Sequence, residues 1–208
     1  MRPRTEAPER RRGDLLDAAQ QIVLDKGIAG LTVDEVTSRA DVAKGTFYLY
    51  FRSKEQLIGA LQQRFVNDLT TRQHRELDAL ADNDWMGRLL HWMESSIRGY
   101  HAHADLHDAL FLHTSPADHP GHGHLADPAT NQHAAALVEI LDAGTTAGTF
   151  ALANPRAAAV LLYNTMHGTA DYLIEQGYHR ETSSANVDDM ITETLNLCRR
   201  YVRPDELS

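Results

Sequence analysis

The sequence has few of the features that mark secreted and membrane proteins. Its 208 residues include a single cysteine, Cys198, which excludes an intrachain disulfide and a cysteine-based zinc cage and favours a reducing compartment. No apolar run reaches the roughly 18 residues that a membrane-spanning helix needs. The charged N-terminal stretch is not followed by the apolar segment of a secretory signal. We therefore expect a cytoplasmic protein with no membrane partner.

The sequence also lacks internal repeats and any convincing strand pattern. Hydrophobic residues make up 42% of the chain and charged residues 24%, with 13 glycines and 7 prolines, which excludes the collagen-like, coiled-coil and disordered classes. A chain of this length can bury enough surface to fold without a disulfide or a metal. Nearly every apolar run follows helical spacing, so we predict an all-α fold of about nine helices.

Formal charge is distributed unevenly along the chain. The net charge is −9, but residues 1–64 hold 11 Lys and Arg against 9 Asp and Glu, whereas residues 65–208 hold 9 against 20. The total alone argues against a polyanionic partner. The basic excess near the N-terminus instead indicates a module that faces nucleic acid, carried on an acidic body.

Residues 32–51, TVDEVTSRADVAKGTFYLYF, predict two short helices joined by a tight turn. Thr32 and Glu35 have the spacing of a capping box, in which a hydroxyl caps the helix and a carboxylate follows three residues later. The turn falls at about residues 41–42, and the second helix covers about 44–50. This is the helix-turn-helix arrangement, whose second helix is short enough to lie in a major groove of DNA.

The residues around this second helix carry groups that suit a DNA surface. Lys44 supplies positive charge, Gly45 lets the backbone come close to a phosphate, and two tyrosines offer hydroxyl donors. Thr32 and Lys54 lie at helix N-termini, which favour bound anions. The candidate DNA contacts are Thr32, Lys44, Gly45, Thr46, Tyr48, Tyr50 and Lys54.

Over about residues 14–61 the chain resembles the TetR family of bacterial transcriptional regulators. The segments LLDAAQQIVLDKG, LTVDEV, KGTFYLYF and SKEQL fall in the family's order and spacing, and beyond them only the helical architecture is similar. The resemblance implies an all-helical homodimer that binds a palindromic DNA operator. It further implies a repressor, released from the operator when a small-molecule effector enters the C-terminal domain.

Two positions depart from the family pattern. Asp41 stands where the family usually has glycine in the turn, and aspartate tolerates left-handed backbone better than most residues. Ala43 stands where the family usually has a hydroxyl-bearing cap, so the usual phosphate contact there is lost.

We expect two domains. Residues 1–53 form the helix-turn-helix domain with a basic N-terminal arm, residues 54–208 form the ligand-binding and dimerisation domain, and a helix over 54–81 links the two.

Aromatic and sulfur side chains at helical spacing predict a ligand pocket. Its candidate residues are Trp92, Met93, Tyr100, Phe111, Tyr163, Met166 and His167.

An apolar eighth helix and a ninth helix with two apolar stripes predict a four-helix dimer interface. Its candidate residues are Val160, Met190, Thr194, Leu197 and Tyr201.

Most of the 12 histidines lie between His101 and His124. His103 and His107 have the i, i+4 spacing that can place two imidazoles on one metal. A metal-binding sensor or storage protein is therefore the alternative function, against a merely solvated histidine-rich loop, which we prefer because no fixed ligand spacing recurs. We predict no metal, no cofactor and no catalytic site, because no serine or cysteine stands in a recognisable nucleophile context.

Overall fold

The computed structural model describes residues 8–111, 132–178 and 187–203. All of the regular secondary structure in these ranges is helical, which confirms the predicted all-α fold. The helices are α1 (Pro8–Lys26), α2 (Val33–Arg39), α3 (Lys44–Tyr50), α4 (Lys54–Asp78), α5 (Trp85–Ala102), α6 (Ala104–Phe111), α7 (Gln132–Thr146), α8 (Pro155–Tyr178) and α9 (Val187–Val202). Within these ranges, none of the helices combines the length and the apolar character that crossing a membrane requires.

The chain divides into two compact units, of which the first contains residues 1–67 together with 105–120. In this unit α1 packs against α2 and against a short 3-10 turn at Ile28–Gly30, and α2 packs against α3. The side chains of Leu15, Ile22, Val36 and Phe47 are fully buried. Burial of these apolar groups holds α1, α2 and α3 in one arrangement. α2 and α3 depend on it most, because helices of 7 residues are too short to be stable alone.

The second unit contains residues 68–104 together with 121–208. Here α5 packs against α7, α8 and α9, and α8 packs against both α7 and α9. Trp92 and Met93 of α5 and Met166 of α8 are fully buried in this core. Cys198 of α9 is buried as well, and burial raises the pKa of its thiol to about 12, so it packs as a small apolar side chain.

One helix boundary differs from the predicted one. α4 ends at Asp78 rather than at residue 81, and residues 79–80 continue as a turn. The predicted loop over 114–127 and the start of the next helix lie outside the described residues, and the domain boundary at residues 53/54 remains a prediction.

Candidate nucleic-acid interface and effector core

The helix-turn-helix begins with the predicted cap. The Thr32 hydroxyl accepts a hydrogen bond from the Glu35 backbone N–H at 3.2 Å and so satisfies one of the donors that a helix start leaves open. In the turn, Asp41 has a φ of 53°, the left-handed conformation that this position requires. The Val42 N–H then donates to the Thr37 carbonyl at 3.0 Å. Ala43 precedes α3 without any side-chain cap.

The short helix α3 has one buried face and one exposed face. Phe47 is fully buried, and its ring lies 5.3 Å from that of Tyr48 and 5.7 Å from that of Phe51. In contrast, Tyr48 is 53% exposed and Leu49 is 80% exposed. A large aromatic anchor thus orients the helix, and the opposite face presents a ring and an aliphatic side chain to the outside.

Charged groups at α3 are already engaged within the chain. The Lys44 ammonium lies 2.6 Å from the Asp34 carboxylate, and this hydrogen bond raises the pKa of Lys44. Lys54, which we expected at the DNA, donates instead to the Ile28 carbonyl at 3.0 Å and is half-buried. Thr46 and Tyr50 are half-buried too. Asp34 was not among the predicted site residues.

Gly45 is exposed, and a methyl group added at its Cα would meet no atom within 4 Å. Its backbone is ordinary helix, so neither backbone conformation nor packing within the chain requires a glycine there. Glycine in a helix costs stability relative to alanine. A glycine at this position is explained if another molecule, such as DNA, packs closely against the backbone there.

The second unit contains a buried chain of polar groups that sequence reasoning missed. Gln73 Nε2 donates to the Trp92 carbonyl at 3.0 Å and to Ser96 Oγ at 2.7 Å. Ser96 Oγ also lies 3.0 Å from His133 Nε2, and Thr70 Oγ1 lies 3.4 Å from His133 Nδ1. One signal was available, since Gln73 lies four residues after Leu69 and four residues before Leu77, in the apolar stripe of α4.

Aromatic rings surround this polar chain. The Trp92 and His133 rings lie 4.7 Å apart, and the His167 ring lies 4.7 Å from that of Tyr100 and 4.6 Å from that of Tyr163. Six of the seven predicted pocket residues belong to this second unit and are buried or half-buried: Trp92, Met93, Tyr100, Tyr163, Met166 and His167.

Phe111, the seventh, belongs to the first unit, where its ring packs 5.8 Å from Phe65 and 5.1 Å from His107. Helical spacing could not separate it from the others, because it gives no information on which unit a short helix joins.

Two titratable side chains of this core, His133 and Tyr100, are held in their neutral forms. Burial, together with the nearby His74, lowers the pKa of His133 to about 3. Burial is also the main cause that raises the pKa of Tyr100 well above its usual value. Both effects follow from the cost of placing a charge away from water. At neutral pH these groups therefore offer hydrogen bonds without charge.

The predicted dimer residues lie on α8 and α9 with different exposures. Leu197 is 52% exposed and Tyr201 is 42% exposed, whereas Thr194 is buried and bonds Thr169 Oγ1 at 3.2 Å. Val160 and Met190 are half-buried. An open groove of about 440 Å³ runs between the two helices, lined in part by Met190 and Leu197.

The histidine segment is only partly described. His103 is the residue that caps the end of α5 rather than lying on one helix with His107, and His107 is buried against the rings of Phe65 and Phe111. In the described ranges, no three histidine, cysteine or acidic residues come together as metal ligands. The remaining histidines of the segment lie outside those ranges.

The family described as bacterial regulatory proteins, tetR family, matches residues 15–61. The HTH-type transcriptional activator FasR of Mycolicibacterium smegmatis is 37% identical over 75 residues, which cover 36% of this chain and 34% of FasR. The HTH-type transcriptional repressor DhaR of Mycobacterium sp. (strain GP1) is 40% identical over 58 residues, 28% of this chain and 29% of DhaR. The chain thus spans about a third of the length of these relatives.

A solved structure extends the likeness in fold beyond the helix-turn-helix. The transcriptional regulator FadR from Bacillus subtilis, in complex with stearoyl-CoA, superposes with a TM-score of 0.71 at 17% identity and covers 92% of this chain and 99% of FadR. At that identity the likeness is one of fold. The N-terminal helices, over residues 15–61, are thus similar in sequence to the tetR family of bacterial regulatory proteins, and the rest of the chain is similar to FadR in fold.

Proposed function

We propose that this protein is a transcriptional regulator that binds a palindromic DNA operator as a homodimer. The observation that carries DNA binding is the division of α3, in which Phe47 is fully buried while Tyr48 and Leu49 project outward. A helix anchored in this way can enter a major groove without losing its packing. The exposed Lys44 and Gly45 at its start suit contact with a phosphate.

The dimer rests on the exposed faces of α8 and α9. Among the described residues, all of the large apolar side chains that the second unit exposes lie on these two helices: Leu161, Tyr172, Leu197 and Tyr201. Exposed apolar patches of this kind mark protein interfaces. Pairing α8 and α9 with the same helices of a second copy would cover them and form a two-fold, four-helix interface.

A small-molecule effector would act through the second unit. The buried polar and aromatic groups around Trp92 and His133 have the composition of a ligand site, mostly apolar with a few fixed polar atoms. FadR, of the same fold, was solved with stearoyl-CoA, and DhaR is a repressor. We take the effector to favour a state with lower DNA affinity, so that the protein represses transcription until the effector binds.

DNA binding is tested with an operator selected from a pool of randomised duplexes by the wild-type protein. Tyr48→Ala should weaken binding to that operator by about 1–3 kcal/mol, because the side chain faces outward rather than into the core. Leu24→Ala is the matched control, since Leu24 of α1 is 48% exposed. Selection that enriches no sequence, or equal affinity in both variants, would refute the assignment of α3.

A further inference from the structure

We propose that the effector is a small, uncharged ring compound that carries both a hydrogen-bond donor and a hydrogen-bond acceptor, and that it meets Trp92 and Gln73. The inference rests on the proposed function and narrows its ligand. Three observations support it: two buried polar atoms that lack partners, a set of aromatic ring faces, and the uncharged state of the buried polar side chains around them.

Trp92 Nε1 and Gln73 Oε1 are buried, and neither has a hydrogen-bond partner among the described residues. Trp92 is fully buried, and Gln73 is 2% exposed. Buried polar groups are nearly always satisfied, because leaving one unpaired forfeits its hydration. The indole N–H can only donate and the amide oxygen can only accept. A group that satisfies both must therefore accept one hydrogen bond and donate another, as a hydroxyl does.

The orientation of the Gln73 amide is fixed by its neighbours. Its nitrogen donates both to the Trp92 carbonyl and to Ser96 Oγ. Turning the amide over would place its oxygen against the Trp92 carbonyl oxygen, and two acceptors would then face each other. The Gln73 amide therefore keeps this orientation, and its oxygen is the atom left without a hydrogen-bond partner. The hydrogen bond from Gln73 to the Trp92 backbone also places the two residues in direct contact.

The surrounding surface favours a flat ring. Trp92, His133 and Tyr163 lie within ring-contact distance of one another, at centroid separations of 4.7 to 6.2 Å. Aromatic faces prefer offset-stacked and edge-to-face neighbours, which a planar ligand supplies better than a flexible chain. A single ring with one polar substituent also matches the two atoms that lack hydrogen-bond partners, Trp92 Nε1 and Gln73 Oε1.

Charge on the ligand is disfavoured. The buried polar residues described in the second unit are Thr70, Gln73, Ser96, His133, Thr169 and Thr194, none of them acidic, lysine or arginine. The only ionisable group among them, His133, is held neutral by burial. A carboxylate or ammonium placed here would lose its hydration, and none of these buried residues carries a charge that would offset the loss. We therefore infer a neutral molecule.

The test uses three probes that share one ring and differ in a single substituent. Phenol offers a neutral donor and acceptor, toluene offers neither, and benzoate carries a negative charge. At neutral pH phenol should raise the thermal midpoint of the wild-type protein in a concentration-dependent way, because it binds the native state only. Toluene and benzoate should bind at least tenfold more weakly.

Two variants locate the binding site. Trp92→Phe keeps an aromatic ring but removes the indole donor, and Gln73→Met removes the amide oxygen at similar volume. Each should lower phenol affinity about fivefold to tenfold, the loss expected for one hydrogen bond. Trp85→Phe, a half-buried tryptophan at the start of α5, is the matched control and should bind phenol as the wild type does.

Several outcomes would overturn the inference. No phenol binding at about 10 mM, where even a millimolar ligand raises the midpoint measurably, would do so. Equal binding of benzoate would exclude the neutral site, and equal binding of toluene would exclude the polar contact. Full phenol affinity in whichever of the two site variants folds would exclude the location. No DNA is present in this experiment, so phenol binding is measured independently of the operator selection. Phenol binding can fail while operator binding succeeds, and the reverse.

Discussion

At the scale of single residues, Lys44 and Asp34 determine how α3 responds to the charge of a DNA backbone. Their side chains lie 2.6 Å apart and are 55% and 75% exposed, so the pair is open to solvent and available to DNA. A free ammonium at the start of α3 would attract any phosphate. The adjacent carboxylate cancels that attraction and should lower the affinity for DNA of arbitrary sequence.

Asp34→Asn should therefore raise the affinity for a duplex of arbitrary sequence by about threefold to tenfold at low salt and steepen the dependence of log K on log salt by about one unit. Affinity for the selected operator should change less, so that specificity falls. Fluorescence anisotropy over a salt series measures both. Glu35→Gln makes the same charge change one residue later, at a carboxylate that pairs with Lys26. Equal effects of the two variants would mean that overall charge, and not the Lys44 pair, is responsible.

Gly45 gives a second residue-scale prediction. Gly45→Ala should leave the protein as stable or stabilise it by about 0.5–1 kcal/mol, because the added methyl group meets open space in a helix. Operator affinity should fall, because the methyl group would separate the backbone from the DNA. Gly59→Ala of α4, where a methyl group also meets no atom within 4 Å, is the control and should leave operator affinity unchanged. Unchanged operator affinity in Gly45→Ala would rule out a close backbone approach at this position.

At the scale of secondary-structure elements, the sequence predicted best where local chemistry alone decides. The Thr32 cap and the α3 range of residues 44–50 were both predicted, because a hydroxyl cap and a positive-φ turn are short-range signals. The contact between Lys54 and the Ile28 carbonyl depends on how distant segments pack, which no local pattern records.

The outer faces of α8 and α9 give the element-scale prediction. Leu197→Glu should convert a dimer into monomers without unfolding the chain, because Leu197 is half-exposed in the single copy but would be buried between two copies. Light scattering measures the mass, and operator binding should be lost with the dimer. Leu24→Glu introduces the same charge at a leucine of similar exposure on α1 and should leave the mass unchanged. A dimer that persists in Leu197→Glu would place the interface elsewhere.

At the scale of the whole molecule, the chain joins a slightly basic N-terminal segment to an acidic remainder. That division was visible in the sequence, because charge counts need no structure. The polar centre of the second unit was not visible, because Thr70, Gln73, Ser96 and His133 come from three different helices and meet only after packing. Sequence periodicity therefore identified most of the aromatic surroundings of this core but not its hydrogen bonds.

Two buried neutral histidines should make the stability of the whole protein depend on pH. Burial lowers the pKa of His133 to about 3 and that of His107 to about 4, whereas an unfolded histidine titrates near 6.5. Below about pH 6.5 the unfolded chain therefore binds protons that the folded chain does not. The contribution of these histidines to the free energy of unfolding is fully present above that pH. It is lost progressively as the pH falls toward 4, by about 1.4 kcal/mol per pH unit for each histidine.

Urea unfolding at several pH values between about 5 and 7, above the range in which most carboxylates titrate, measures this slope. His133→Gln should reduce the slope by about half, because one of the two buried histidines no longer titrates on unfolding. The His133→Gln variant can also be less stable at neutral pH, because contacts are lost. That loss lowers the free energy of unfolding by the same amount at each pH and does not change the slope. His103→Gln changes an exposed histidine and should keep the wild-type slope. If the slope is unchanged in His133→Gln, that imidazole is not held neutral inside the folded protein, and the inference that the ligand is uncharged loses one of its supports.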